Sequence, residues 1–120
     1  MTQPNRFQKL VADAKQRIRE ISAQEARDLT QRGDALLIDV REESDFRQGH
    51  AEGAKHLSKG MIEVEIEGQV PDPNHRIIVY CGGGSRSALV ADNLQKMGYT
   101  NVQSLAGGMR AWHEANLSTE

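Results

Sequence analysis

The sequence from residue 76 to residue 87 reads Arg76-Ile77-Ile78-Val79-Tyr80-Cys81-Gly82-Gly83-Gly84-Ser85-Arg86-Ser87. The apolar run after Arg76 has the length of a buried strand in a parallel sheet. Three glycines follow as a loop, and helical spacing of apolar residues then begins at Leu89 and continues to Met97, just before Gly98. A strand that leads through a short loop into a helix predicts an α/β fold.

Strands and helices alternate along the rest of the chain, which predicts a mainly parallel sheet with functional groups at the carboxyl ends of its strands. Besides the strand at 76–81, strands are predicted at residues 35–40, 54–57 and 101–105. Short helices are predicted after Ser22, Ser44, Ser58 and Gly107. Ser22 and Glu25 have the spacing of a capping box, Gly33 is placed to end that helix, and Ser44 and Ser58 are predicted as N-caps.

An amphipathic helix is predicted ahead of this alternation. Its apolar residues recur with helical spacing and are Phe7, Leu10, Val11, Ala14, Ile18 and Ile21. Charges of both signs lie between them, which favours packing on the rest of the protein over a targeting peptide or a lipid-surface helix. With 120 residues in all, we expect a helical extension over residues 1–20 and one domain over residues 21–120.

Three glutamates, Glu63, Glu65 and Glu67, alternate with Val64 and Ile66. They fit either a cation site or a solvent-exposed edge or short strand, and the strict alternation favours the strand. The histidines have no metal-ligand spacing. We therefore expect neither a metal nor another cofactor.

Composition limits the partners and the location. Fifteen basic and 17 acidic residues give a net charge of -2, so attraction to nucleic acid or to an anionic membrane is not expected. No apolar run approaches the roughly 18 residues of a membrane-spanning helix. The single cysteine, Cys81, excludes an intramolecular disulfide and fits a reducing compartment, and the first residues lack the apolar stretch of a secretory signal. We expect a cytoplasmic protein.

Cys81 stands at the end of a predicted strand, directly before the glycines and the predicted helix. Glycines allow positive φ angles, so that successive amides can turn toward one centre and hold an anion. The N-terminus of the helix adds a partial positive charge, and Arg86 adds a full one. These features favour a thiolate and predict a nucleophilic Cys81 with a lowered pKa, rather than an apolar filler of the core. Ser85 and Ser87 either bind the substrate or cap the helix.

The chain resembles the rhodanese-like sulfurtransferases in their single-domain form. The resemblance rests on four segments in the order of that family: Leu37-Ile38-Asp39-Val40-Arg41-Glu42, Gly49-His50-Ala51-Glu52-Gly53-Ala54, the loop Cys81 to Arg86, and Gly107-Gly108-Met109-Arg110-Ala111-Trp112. It covers the chain from about Ile21 onward. It implies a five-stranded, mainly parallel sheet flanked by helices on both faces, and a cysteine that carries sulfane sulfur as a persulfide.

The resemblance also implies roles for single residues. Cys81 matches the sulfur-accepting position, and residues 82–86 match the substrate-binding loop whose amides surround the persulfide. The loop departs from the family's pattern because it has no bulky or charged residue before its arginine. Asp39 and Arg41 resemble a pair that supports the site from a neighbouring strand, and we expect a salt bridge between them. His50 matches a histidine that we interpret as structural.

Three functions fit these residues. The first is a ping-pong sulfur transfer, in which Cys81 takes sulfur from a small anionic donor such as thiosulfate and passes it to cyanide, a small thiol or a protein. The second is a phosphatase or an enzyme like arsenate reductase, but the loop of those enzymes is one residue longer, and four residues between Cys81 and Arg86 better fit a single sulfur atom. The third is a non-catalytic module that binds a partner or senses sulfur, although its expected signature is loss of the cysteine. A monomer and a weak dimer fit equally well.

Overall fold

The computed structural model describes residues 3–120, which form an α/β domain. Helices and strands alternate along most of the chain, as the sequence predicts. In chain order the elements are α1 (Arg6–Lys15), β1 (Arg19–Ile21), α2 (Ala23–Gln31), β2 (Leu36–Asp39), α3 (Glu43–Gln48), β3 (Lys55–His56), α4 (Ile62–Gln69), β4 (Ile77–Tyr80), α5 (Ser85–Lys96), β5 (Val102–Leu105) and α6 (Gly108–Glu114).

The five strands form one sheet in the order β1-β5-β4-β2-β3. All neighbouring strands pair in parallel, which confirms the predicted parallel sheet. β4 lies in the centre and is buried at every residue. Because the carboxyl ends of parallel strands meet at one edge, the loop after β4 lies between the loop after β5 and the loop after β2.

Helices cover both faces of the sheet, as the resemblance implied. On one face, Ile62 and Ile66 of α4 and Leu94 of α5 pack against the sheet. On the other face, α2 and α6 pack against it, and Trp112 of α6 is the largest fully buried side chain. Since side chains alternate along a strand, Tyr80 faces the α2 and α6 side, whereas Cys81 belongs to the core on the α4 and α5 side.

α1 is shorter than the apolar pattern predicts. It ends at Lys15, and Ile21, which was assigned to this helix, lies in edge strand β1. The boundary predicted between residues 20 and 21 therefore falls within β1, and residues 1 and 2 of the predicted extension lie outside the described part. α1 packs along α5 through Val11 and Ala14. None of the helices in residues 3–120 is both long enough and apolar enough to cross a membrane.

The strand predicted around the three glutamates is wrong, because these residues lie in helix α4. Ile62 and Ile66 are buried one turn apart, and Val64 between them is 76% exposed, which is the pattern of a helix with one face on the core. The predicted cap at Ser22 is confirmed, since its hydroxyl accepts from the amide of Glu25.

The caps predicted at two other serines are wrong. The residue that precedes α3 is Glu42, not Ser44, and the residue that precedes α4 is Met61, not Ser58. Neither of these two helices has a side-chain hydrogen bond at its cap. Ser58 instead contributes its backbone carbonyl, which accepts from the amides of Met61 and Ile62.

Candidate active site

Cys81 follows the central strand β4 and is 1% exposed. α6 fixes its backbone, because the amide of Met109 donates to the carbonyl oxygen of Cys81 at 2.8 Å and the amide of Arg110 donates to that of Gly82 at 3.1 Å. This approach requires glycine at residue 108. Its φ is +55°, and a Cβ atom there would overlap the Cys81 carbonyl. The backbone that carries the sulfur is therefore fixed by both β4 and α6.

Two backbone amides donate to the sulfur of Cys81, and the Cys81 thiol donates to the hydroxyl of Ser87. The amide of Gly84 lies 3.2 Å from Sγ, the amide of Ser87 lies 3.4 Å away, and the hydroxyl oxygen of Ser87 lies 3.5 Å away. Gly84 has a φ of +99°, which turns the chain into α5 and directs its amide at the sulfur. Burial is the largest influence and raises the pKa of the Cys81 thiol, but the hydrogen bonds from Ser87, Gly84 and Gly83 together outweigh it and leave the pKa below its ordinary value.

Ser87 is not a cap of α5. The residue before the helix is Gly84, and no side chain caps this end. The Ser87 hydroxyl, fully buried, lies instead between two partners, the sulfur of Cys81 and the hydroxyl of Ser104 on β5, with a Ser87 Oγ to Ser104 Oγ distance of 2.9 Å. Ser85 is half-buried at the first position of the helix.

Two guanidinium groups flank the glycine loop. A Cβ atom on Gly82 would lie 3.9 Å from Nη2 of Arg86, and one on Gly83 would lie 3.5 Å from Nη2 of Arg110. Arg110 projects from α6 and forms no ion pair with another residue of 3–120. The loop therefore offers backbone amides beside two positive charges, which favours a small anion.

Asp39 and Arg41 form a salt bridge, with Nη2 of Arg41 2.8 Å from Oδ2 of Asp39. The same carboxylate accepts from the Tyr80 hydroxyl at 2.8 Å, and the Tyr80 oxygen accepts from the amide of Ala51. Burial and the Asp39 charge raise the pKa of Tyr80. This network lies on the face of the sheet opposite to the sulfur. It reaches Cys81 only through the backbone of Tyr80.

His50 lies outside the loop that surrounds the sulfur. Its ring stacks on Phe46 with 3.7 Å between the ring centroids, and Nδ1 donates to the Phe46 carbonyl at 2.9 Å. These contacts are structural. Among residues 3–120, no group of three or more histidine, cysteine, aspartate or glutamate side chains could hold a metal ion.

Sequence reasoning missed two residues of this site. Ser104 and Arg110 are separated from Cys81 by more than a full helix of sequence. The parallel pairing of β5 with β4 brings Ser104 beside the loop, and backbone hydrogen bonds from α6 to Cys81 and Gly82 bring Arg110 there. The carboxyl-end rule for parallel sheets pointed to the loop after β5, but it did not specify which side chains turn toward the sulfur.

An α/β domain with a cysteine in an amide-lined loop after its central strand defines a small class of anion-handling proteins. The sequence pattern of one family in that class, the Rhodanese-like domain, matches residues 22–115 of this chain. The chain belongs to this family of rhodanese-like domains.

Known relatives and solved structures agree with this assignment. The thiosulfate sulfurtransferase GlpE of Actinobacillus succinogenes is 36% identical over 104 residues, which cover 84% of this chain and 89% of that protein. The polysulfide-sulfur transferase homodimer from Wolinella succinogenes has a TM-score of 0.81 at 29% identity and covers 95% of this chain and 86% of its own. A Rhodopseudomonas palustris protein described as of unknown function and a possible tyrosine phosphatase has a TM-score of 0.85 at 29% identity, with 100% and 98% of the two chains covered.

Proposed function

We propose that this protein is a sulfurtransferase that moves sulfane sulfur from thiosulfate, or a similar small anionic donor, to a thiophilic acceptor through a persulfide on Cys81. The observation that carries the proposal is the convergence of the Gly84 and Ser87 donors on Cys81 Sγ. It is supported by the names of relatives such as the Actinobacillus protein, which is a thiosulfate sulfurtransferase.

In the first half-reaction, the Cys81 thiolate attacks the outer sulfur of thiosulfate. A bond forms between Sγ and that sulfur, the bond to the sulfonyl sulfur breaks, and sulfite leaves with the electron pair. Charge is conserved, since a thiolate and a dianion become a persulfide anion and a sulfite dianion. The amides of Gly84 and Ser87 stabilise the charge on the sulfur without reorganisation, because the fold already holds them in place.

In the second half-reaction, an acceptor nucleophile attacks the outer sulfur of the persulfide. The bond between the two sulfurs breaks, and Cys81 leaves as a thiolate. Cyanide gives thiocyanate, and a thiolate of a small molecule or a protein gives a new persulfide. Because the chain has one cysteine, the persulfide cannot be resolved as an internal disulfide. Sulfur therefore stays on Cys81 until an external acceptor arrives.

The remaining assignments follow from the same site. Residues 82–86 bind the donor, with Arg86 and Arg110 on either side of the loop. Asp39 and Arg41 support the site through Tyr80, whose backbone leads directly into Cys81. The extension proposed over residues 1–20 keeps α1 as its helix, whereas its last two residues belong to β1 of the sheet. The protein is proposed to act in the cytoplasm.

The decisive experiment is intact-mass analysis after incubation with thiosulfate. The wild-type protein should gain the mass of one sulfur atom, and Cys81→Ser should gain none. Addition of cyanide should remove the added sulfur and release thiocyanate. A loaded Cys81→Ser protein would exclude Cys81 as the carrier.

The same preparation separates the alternatives. The Rhodopseudomonas protein is described as a possible tyrosine phosphatase. An aryl phosphate should therefore be tested as a second substrate. We expect no hydrolysis, because a phosphoryl group needs room for three oxygens around the attacking sulfur. Cys81-dependent hydrolysis without sulfur uptake would reverse the assignment. Loading that no acceptor discharges would instead indicate a sulfur-sensing or binding module.

A further inference from the structure

Ser87 and Ser104 form a buried pair of hydroxyls behind the sulfur. Both residues are 0% exposed. Their oxygens are 2.9 Å apart, and Ser87 Oγ is also 3.5 Å from Cys81 Sγ. Within residues 3–120, Ser104 Oγ has a hydrogen bond only to Ser87 Oγ. The three groups therefore form a short chain that begins at Ser104 and ends at the sulfur.

The number of protons in this chain decides its preferred state. If Cys81 is a thiol that donates to Ser87, then Ser87 donates to Ser104, and the buried Ser104 proton has no acceptor. If Cys81 is ionised, Ser104 donates to Ser87, Ser87 donates to the sulfur, and every proton has an acceptor. A buried polar hydrogen without a partner is costly. The hydroxyl pair therefore favours negative charge on the sulfur.

We propose that Ser104 is a positioning residue for the sulfur chemistry, because its hydroxyl donates to Ser87 and thereby keeps the Ser87 proton directed at Cys81 Sγ. Ser104 does not contact the substrate. It acts through Ser87 alone. The inference assumes the proposed role of Cys81, but its test is a titration of the thiol and does not depend on sulfur transfer.

Other charges around the sulfur do not reproduce this effect. Arg86 of α5 and Arg110 of α6 flank the loop, and substitution of Ser104 leaves both charges in place. Asp39 and Arg41 pair on the other face of the sheet. A change in the titration of Cys81 on substitution of Ser104 therefore reports the hydroxyl chain.

The test measures the rate of iodoacetamide alkylation of Cys81 as a function of pH. In Ser104→Ala, the inflection should move to higher pH, and alkylation below the inflection should be about threefold to tenfold slower. The plateau at high pH should stay the same or rise by up to about threefold, because a thiolate of higher pKa is somewhat more nucleophilic. A distorted site would instead lower the plateau. Ser104→Thr keeps the hydroxyl and should restore most of the rate at low pH.

Two further variants show whether Ser104 acts through Ser87. Ser87→Ala should move the inflection at least as far as Ser104→Ala, and the double variant should titrate like Ser87→Ala alone. Thr30→Val is the matched control, because it removes a hydroxyl bonded to the Ala26 carbonyl in α2, far from the loop. It should leave the inflection unchanged.

Three results would overturn the proposal. One is an unchanged inflection in folded Ser104→Ala, and another is an inflection moved to lower pH, which would mean that Ser104 accepts from Ser87. The third is an equal additional shift in the Ser87→Ala background. None of these results depends on whether thiosulfate loads Cys81. A failure of this proposal can therefore be distinguished from a failure of the proposed function.

Discussion

The amide of Met109 donates to the carbonyl oxygen of Cys81 at 2.8 Å, so the residue that holds the sulfur is tied to the first turn of α6. The contact is possible only because Gly108 has no side chain. A methyl group there would overlap the Cys81 carbonyl and approach the Gly82 carbonyl carbon.

Gly108→Ala should therefore disrupt the loop. We expect a loss of at least about 2 kcal/mol in the free energy of unfolding, since the new side chain adds overlap to a left-handed φ of +55°. Sulfur loading by thiosulfate should fall at the same time. The control is Gly68→Ala in α4, where an added Cβ contacts nothing and should increase stability by about 0.5 to 1 kcal/mol. Equal stabilities for the two variants in urea unfolding would refute the role of Gly108.

Ionisation of Cys81 should stabilise the folded protein at alkaline pH. The pKa of Cys81 is lowered in the fold from an ordinary value of 9.0. The thiolate contribution is therefore fully present above 9.0 and is lost as the pH falls through the folded pKa. Relative to Cys81→Ser, the wild-type protein should gain stability as the pH rises from the folded pKa of Cys81 toward 9.0. A difference between the two proteins that does not change over this interval would contradict the lowered pKa.

Arg110 should contribute to the use of anionic donors. Arg110→Ala should slow thiosulfate loading about twofold to fivefold at low salt, because one exposed charge beside the loop is removed. The effect should decrease at high salt. Arg32→Ala, an exposed arginine paired with Asp34, serves as the control and should load normally. An identical loss with an uncharged sulfur donor would show that Arg110 has a steric role rather than an electrostatic one.

The ion pair between Arg17, which follows α1, and Asp92 of α5 should contribute to stability but not to chemistry. Arg17 donates to both carboxylate oxygens of Asp92, at 2.9 and 2.7 Å, and the Asp92 side chain is only 8% exposed. Arg17→Ala should lower the free energy of unfolding more than the loss of a fully exposed ion pair does, because Asp92 loses two hydrogen bonds.

Its control and its pH dependence make this prediction specific. Arg47→Ala breaks the exposed pair with Glu43 and should cost about 0.5 kcal/mol or less. The hydrogen bond from Arg17 lowers the pKa of Asp92 below 3.8, so the loss in Arg17→Ala should be full above that value and disappear as the pH falls through the folded pKa. A marked change in sulfur loading would mean that α1 affects the site.

The sequence could predict the centre of this protein because the decisive signals there are local. The run before Cys81, the glycines after it and the spacing from Leu89 to Met97 all lie within one continuous stretch, and each specifies its own conformation. β4 accordingly lies within one residue of the predicted bounds, and α5 ends one residue before Met97, although it begins at Ser85, ahead of the apolar spacing.

Elements at the edge of the fold were harder to predict. β1 is a strand because its backbone pairs with β5, with Arg19 opposite Gln103, and its three residues alone do not carry that information. The segment from Glu63 to Glu67 is too short to separate a period of two from a helical period. Packing of Ile62 and Ile66 on the core decides in favour of the helix.

The proposed site consists of buried residues and exposed residues. Ser87 and Ser104 are fully buried, whereas Gly83 and Arg110 are exposed. In the proposed mechanism, the buried residues act on the nucleophile and the exposed residues face the sulfur donor. Substitutions of Gly83 or Arg110 are therefore expected to change which sulfur donor is accepted without altering the nucleophile. Related domains can diverge in substrate, or be redesigned for a new substrate, in this way.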